Sequence, residues 1–170
     1  MEHLVRAVRD GVAERNWYAA LGLALTLPDI CGRLESPGVG SQARYVSWCN
    51  TYLVPRYTRP LGPDRTPHVF LHGADCYALR CAVLHEGADD IVTQRARVAL
   101  DAFLFVAPRT GWTVHCNQSD AKLQLQVDIF CEDICAGVDA WLTGVATNPD
   151  VQTRITSLMR VQSLENGLSF

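Results

Sequence analysis

Leu4, Val8 and Val12 recur at the spacing of one helix face, which predicts a helix over residues 2 to about 14. Asn16 is a cap for a second helix through "WYAALGLALTL", and Pro28 kinks or restarts it before "DICGRLE". "SPGVGS" has loop composition. Ser41 then caps a third helix, "QARYVSWCNTYL". "VPRYTRPLGPDRTPH", with prolines at 55, 60, 63 and 67, lacks periodicity and is expected to be a functional or mobile loop. "HGADCYALRCAVLHE" predicts a fourth helix, closed by Gly87. The pattern then changes to strands, in "ALDAFLFVA" and "WTVHCN", joined by the turn "PRTG". "KLQLQV" alternates, with Leu123, Leu125 and Val127 on one face, so an antiparallel meander of three strands is expected. Phe130, Ile134, Val138, Trp141 and Val145 mark a long helix, and Asn148-Pro149-Asp150 starts a last one faced by Val151, Ile155 and Leu158. The expected fold is mainly α: five to six helices, with a small antiparallel hairpin or meander inserted at about 99–127. A single domain over 1–163 is expected, with a loose tail at 164–170.

Composition narrows the function classes. An apolar share of 48% and a charged share of 19% describe a folded chain of 170 residues with a real core. A net charge of −3 does not suit a globally basic nucleic-acid binder, so any anion site must be a local patch. The basic residues are arginines apart from Lys122, which suits planar, bidentate contacts to phosphate. Most of the seven cysteines fall in apolar stretches, where a thiol acts as a small hydrophobe. "MEHLVRAVRDGVAERN" has no apolar signal-peptide core, and no run reaches membrane-spanning length. A reduced, cytoplasmic protein with no membrane association is the expectation.

The sharpest candidate is "ALRCAVLHEG", where Arg80 and His85 interrupt an apolar helical run. Five residues of α-helix turn the chain through about 140°, so the two side chains do not share a stripe. Arginine is long, however, and His85 lies in the last turn, where the helix C-terminus attracts cations. Together they suit proton transfer beside a phosphoryl group with growing charge. The competing structural reading pairs Arg80 with Asp75 or Glu86 and makes His85 a helix-end cap.

"RCAVLH", Arg80 to His85, resembles the R-x4-6-H motif of the HEPN superfamily (higher eukaryotes and prokaryotes nucleotide-binding domains). "NWYAALGLALTLPDICGRLE" is also similar to small bacterial HEPN-like proteins. The resemblance implies a helical bundle that dimerises so that two motifs face one cleft. It implies a metal-independent endoribonuclease, without cofactor, acting on RNA in a toxin or phage-defence setting, with an antitoxin or defence-system protein as a further partner. Arg80 and His85 would then be catalytic. The chain departs from active members in one place: Cys81, a poor hydrogen-bond donor, stands where a polar residue often follows the arginine. That favours the alternative, a catalytically inactive HEPN-like adaptor binding RNA, nucleotide or a protein partner.

The proline-rich stretch is the candidate substrate-binding surface. It carries Arg56, Arg59, Arg65 and His68, with Tyr57 for base stacking, and His72 stands just before the fourth helix. A solvated surface loop is the structural reading of the same residues. Cys131 and Cys135, four apart, with His115-Cys116 on a nearby strand, are the residues a zinc ion would need; paired C-x2-C knuckles are absent, and no metal site is expected. Asp128, Glu132 and Asp139 have the spacing of a solvated helix face. Glu86, Asp89 and Asp90 cluster after His85, either to hold a divalent ion or as ordinary loop formers.

Overall fold

Six α-helices dominate the computed structural model, which describes residues 1–162. The helices are α1 (Glu2–Ala13), α2 (Trp17–Glu35), α3 (Ser41–Tyr52), α4 (Gly73–Cys81), α5 (Val127–Gly144) and α6 (Pro149–Thr156). The expected tail at 164–170 lies outside the described residues. Among them, no helix is long and apolar enough to cross a membrane.

α2 is the central element. It is apolar on most of its circumference, burying Ala20, Ala24, Leu25, Leu27, Pro28, Cys31 and Leu34, and it packs against α1, α3, α5 and α6. Pro28 does not restart it: the helix runs unbroken from Trp17 to Glu35. α5 is the second pillar. Its stripe of Phe130, Ile134, Val138 and Trp141 is fully buried, and Gly137 lets Trp48 of α3 approach, since a Cβ there would lie 2.9 Å from the indole. The expected caps form at Asn16 and Asn148, whose side chains accept the Ala19 and Val151 amides. At α3 the cap position is Gly40 instead, and Ser41 becomes the first helical residue.

The strands differ more from expectation. The proline-rich stretch is neither unstructured nor open. A short 3₁₀ turn (Val54–Tyr57) leads into a hairpin, β1 (Thr58–Leu61) paired antiparallel with β2 (Thr66–Val69). Pro60 sits opposite Pro67. The Phe70 amide bonds the Tyr57 carbonyl, and antiparallel pairs alternate between bonded and non-bonded. Counting along the ladder, the two prolines fall on a non-bonded pair, where a missing N–H costs nothing.

The three-stranded sheet occupies the predicted place but is not an antiparallel meander. β3 (Ala102–Val106) and β5 (Lys122–Gln126) run parallel, and β4 (Asn117–Ser119) lies antiparallel on the far side of β5. "WTVHCN" is not a strand; "PRTG" closes only an isolated bridge between Arg109 and Trp112, and Cys116 turns the chain at φ 57°. The alternation in "KLQLQV" places Leu123 and Leu125 in the core, but alternation carries no information on strand direction.

Asp75 joins the α4 helix to the long connection before β3. Its carboxylate is fully buried and accepts the Val98 amide at 2.6 Å and the Ala99 amide at 3.2 and 3.3 Å. Removing it strands two amide donors under the loop. Asp75→Ala should therefore destabilise the protein by about 2 kcal/mol or more, lowering the melting temperature by about 4–8 °C. Asp75→Asn keeps an acceptor oxygen and should lose less, as thermal unfolding of both variants will read.

Candidate functional site: an arginine–histidine pair at a π turn

α4 does not continue as an α-helix through the motif. Residues Ala82–Glu86 form a π turn, and the Gly87 amide faces the carbonyls of both Ala82 and Val83. Gly87 supplies the left-handed conformation (φ 66°, ψ 23°) that ends the segment, and the Ala88 amide closes back on Ala82 at 3.2 Å. In a π turn, backbone bonds run between residues five apart. The wider turn brings His85 round toward Arg80, which sits near the end of α4, and the long arginine side chain covers the remaining offset. Arg80 Nη1 lies 3.0 Å from His85 Nε2. A guanidinium only donates. A hydrogen bond here therefore needs His85 Nε2 as the acceptor and the ring hydrogen on Nδ1.

Arg80 is held from the other side by Asp29 of α2, with Nη2 3.5 Å from Oδ2. Asp29 also binds Arg44 of α3 through Oδ1, 3.0 Å from Nε and 2.9 Å from Nη2. One carboxylate thus faces two guanidiniums, leaving the group with net positive charge. The anticipated acids do not serve here. Asp75 is committed to the Val98 and Ala99 amides, and Glu86 accepts from Gln94 at 2.8 Å. Among the described residues, Arg80 Nε is buried without a hydrogen-bond partner. His85 is exposed and Cys81 half-buried. The pair therefore lies at the surface with a buried root.

The hairpin residues belong to a different neighbourhood. Tyr57 is 1% exposed, so it presents no ring for stacking; it is core, and its hydroxyl donates to Asp133 of α5 at 3.0 Å. Burial, with Asp133 beside it, pushes the Tyr57 phenol up. Arg56 pairs with the same carboxylate at 3.3 Å. Arg59 and Arg65 are exposed, with Arg65 in the hairpin turn at φ 51°. His68 donates to Gln118 of β4 at 3.2 Å and packs edge-on against Phe70. His72 is half-buried at the N-cap of α4. The polar contacts of Arg80 and His85 thus run to α2, and those of the hairpin run to α5 and β4; among the described residues no bond joins the two groups.

Cys131 and Cys135 lie in the core, with burial pushing both thiols up to about 12, and His115 turns to Asp133 at 3.8 Å rather than to either sulfur. Among the described residues, no three His, Cys, Asp or Glu side chains gather to hold a metal. Glu132 and Asp139 bind Arg9 of α1, and Asp128 accepts from Gln126. Asp90 caps its own turn through the Val92 amide at 2.8 Å. Asp29 carried a signal in the sequence that was open to reading, as an acid in the apolar run of α2, the mirror of Arg80 in α4; Arg44 carried none.

No protein-family model, curated protein or solved structure matches this chain.

The Tyr57 placement yields a graded expectation. Tyr57→Phe removes only the hydroxyl from Asp133 and should cost about 1 kcal/mol. Arg56→Ala, whose guanidinium is largely hydrated, should cost less than about 1 kcal/mol. Denaturant unfolding of the two variants checks the order; an Arg56 effect larger than that of Tyr57→Phe would contradict it.

Proposed function

We propose that the protein is a metal-independent, HEPN-type endoribonuclease in which Arg80 and His85 act on the RNA phosphodiester. The observation that supports this reading is the 3.0 Å contact between the two side chains at the π turn, which sets a guanidinium beside an imidazole that can serve as general base. His85 would take the proton of a ribose 2′-hydroxyl. The 2′-oxygen then attacks phosphorus, the bond to the 5′-oxygen breaks, and a 2′,3′-cyclic phosphate results. Arg80 would move its donors from His85 to the phosphoryl oxygens as negative charge grows on them. A second copy of the chain, with its own pair across a two-fold axis and its His85 in the imidazolium form, would give that proton to the leaving 5′-oxygen. DNA lacks the 2′-hydroxyl and should resist cleavage. Arg59, Arg65 and His68 on the hairpin are the proposed contacts to the RNA backbone. The homodimer, a toxin or phage-defence setting and an antitoxin or defence-system partner belong to the same proposal.

The alternative is a catalytically inactive adaptor of the same type, binding RNA, nucleotide or a protein partner. The ion pair of Arg80 with Asp29 and the Cys81 thiol beside it favour that reading.

Labelled RNA incubated with the protein in EDTA separates the two. A nuclease cleaves RNA and spares DNA of the same sequence; His85→Ala abolishes cleavage with the melting temperature within about 2 °C of wild type, because an exposed side chain contributes little packing. Arg80→Ala abolishes cleavage and also weakens RNA binding. It should lower the melting temperature more than His85→Ala, because it leaves Asp29 with one guanidinium. A wild-type protein that binds RNA without cutting it would replace the nuclease with the adaptor.

A further inference from the structure

The chain between β3 and β5 crosses over residues 107–121, and Gln126, at the junction of β5 and α5, fastens it. The Val114 amide donates to Gln126 Oε1 at 3.0 Å, and the Gln126 amide donates to His115 Nδ1 at 3.2 Å. The other ring nitrogen, Nε2, lies 3.8 Å from Asp133 Oδ2. The imidazole is 14% exposed and stands 5.5 Å from the Tyr57 ring. Nδ1 is taken by the Gln126 amide, and Nε2 faces the Asp133 carboxylate beyond hydrogen-bond distance.

A backbone N–H can only donate. Nδ1 must therefore keep its lone pair, and the ring is the neutral Nε2–H tautomer. Adding a proton fills Nδ1. Two donors, the Gln126 amide and the new N–H, would then face each other at bonding distance. The hydrogen bond cannot survive, while the imidazolium gains attraction to Asp133.

We propose that His115 is an acid-released latch: its protonation undoes residues 113–116 from the β5–α5 junction and frees that segment, with β4 beyond it, to move. The surroundings are mixed in sign. Asp133, the Gln126 main chain and Asp128 favour the imidazolium, with Arg56 also paired to Asp133, and Arg59 of β1 opposes it; the Gln126 N–H itself aims at Nδ1 and is the group a proton there displaces, with Tyr57 and Cys116 completing the surroundings. Burial outweighs the carboxylates and holds His115 below its usual value of 6.5. In that case the unfolded chain takes up the proton first as pH falls. The stability that His115 contributes is present above about pH 6.5 and is lost as pH falls through its folded value. The segment ends where β4 meets the hairpin, through the His68–Gln118 bond. Release would therefore loosen the surface that carries Arg59 and His68. The latch stands on its own geometry and does not require that surface to bind RNA.

Ring-nitrogen NMR of the intact, isotope-labelled protein, titrated between pH 7.5 and pH 5, tests this with amide hydrogen exchange read in parallel. The expected result is a neutral His115 with hydrogen on Nε2 at the upper end. Its titration should be tracked by the Gln126 amide, and protection of the 113–117 amides should fall about fivefold or more as the ring charges. His115→Asn offers an oxygen near the Nδ1 position and cannot take up a proton there. It should keep that protection nearly independent of pH. A ring carrying hydrogen on Nδ1 at pH 7.5, or a Gln126 amide and 113–117 protection unmoved through the His115 titration, would overturn the latch. If the variant fails to fold, the wild-type titration decides alone.

Discussion

The candidate site depends on one extra residue in the last turn of α4. An α-helix would place Arg80 and His85 about 140° apart. The π turn over Ala82–Glu86 narrows that offset, and the long arginine side chain meets the ring at 3.0 Å. Widening a helix turn sacrifices favourable backbone geometry, and such turns are found preferentially at functional sites. Two features hold it open. Gly87 takes the left-handed conformation that a side chain would oppose, and Ala82, at its start, is buried in the core. Asp29 then fixes the guanidinium from the α2 side. The pair is thus a product of three elements, α2, α4 and the π turn, and only the last is local in sequence.

What was legible in the sequence follows from what a linear pattern encodes. Helix faces and their caps are local, so the stripe of α5 and the Asn16 and Asn148 caps could be read from spacing alone. The position of the sheet was legible for the same reason, and its topology was not. Leu123 and Leu125 alternate identically whether the neighbour runs parallel or antiparallel, and the crossover of 107–121 is long enough for either. Prolines at 60 and 67 argue against a ladder until their register is known; in a non-bonded pair they remove nothing. The π turn was illegible because Ala82–Glu86 has ordinary α-helical composition.

The candidate site was half visible. Arg80 and His85 stood out as polar residues in an apolar run, and Asp29 carried the same signal in α2, but nothing in the sequence linked the two. Tyr57 and Asp133 show the converse. A tyrosine between arginines reads as a stacking platform, yet its ring fills the core and its hydroxyl satisfies a carboxylate on a helix 76 residues away in sequence. The aromatic's fate was decided by tertiary packing that charge pattern does not encode. Arg59 and Arg65, by contrast, remain on the surface as their composition suggests.

The geometry at the π turn makes a statement about one hydrogen atom. If Arg80 donates to His85 Nε2, the neutral imidazole must carry its hydrogen on Nδ1, whereas a freely solvated histidine favours Nε2. Ring-nitrogen NMR of His85, recorded at mildly alkaline pH on the wild-type chain and on Arg80→Ala, reads this directly. The Nδ1–H form is expected in the wild type, with a shift toward Nε2–H when the guanidinium is removed. An Nε2–H ring in the wild type, unchanged by Arg80→Ala, would contradict the pairing on which the proposed chemistry is built.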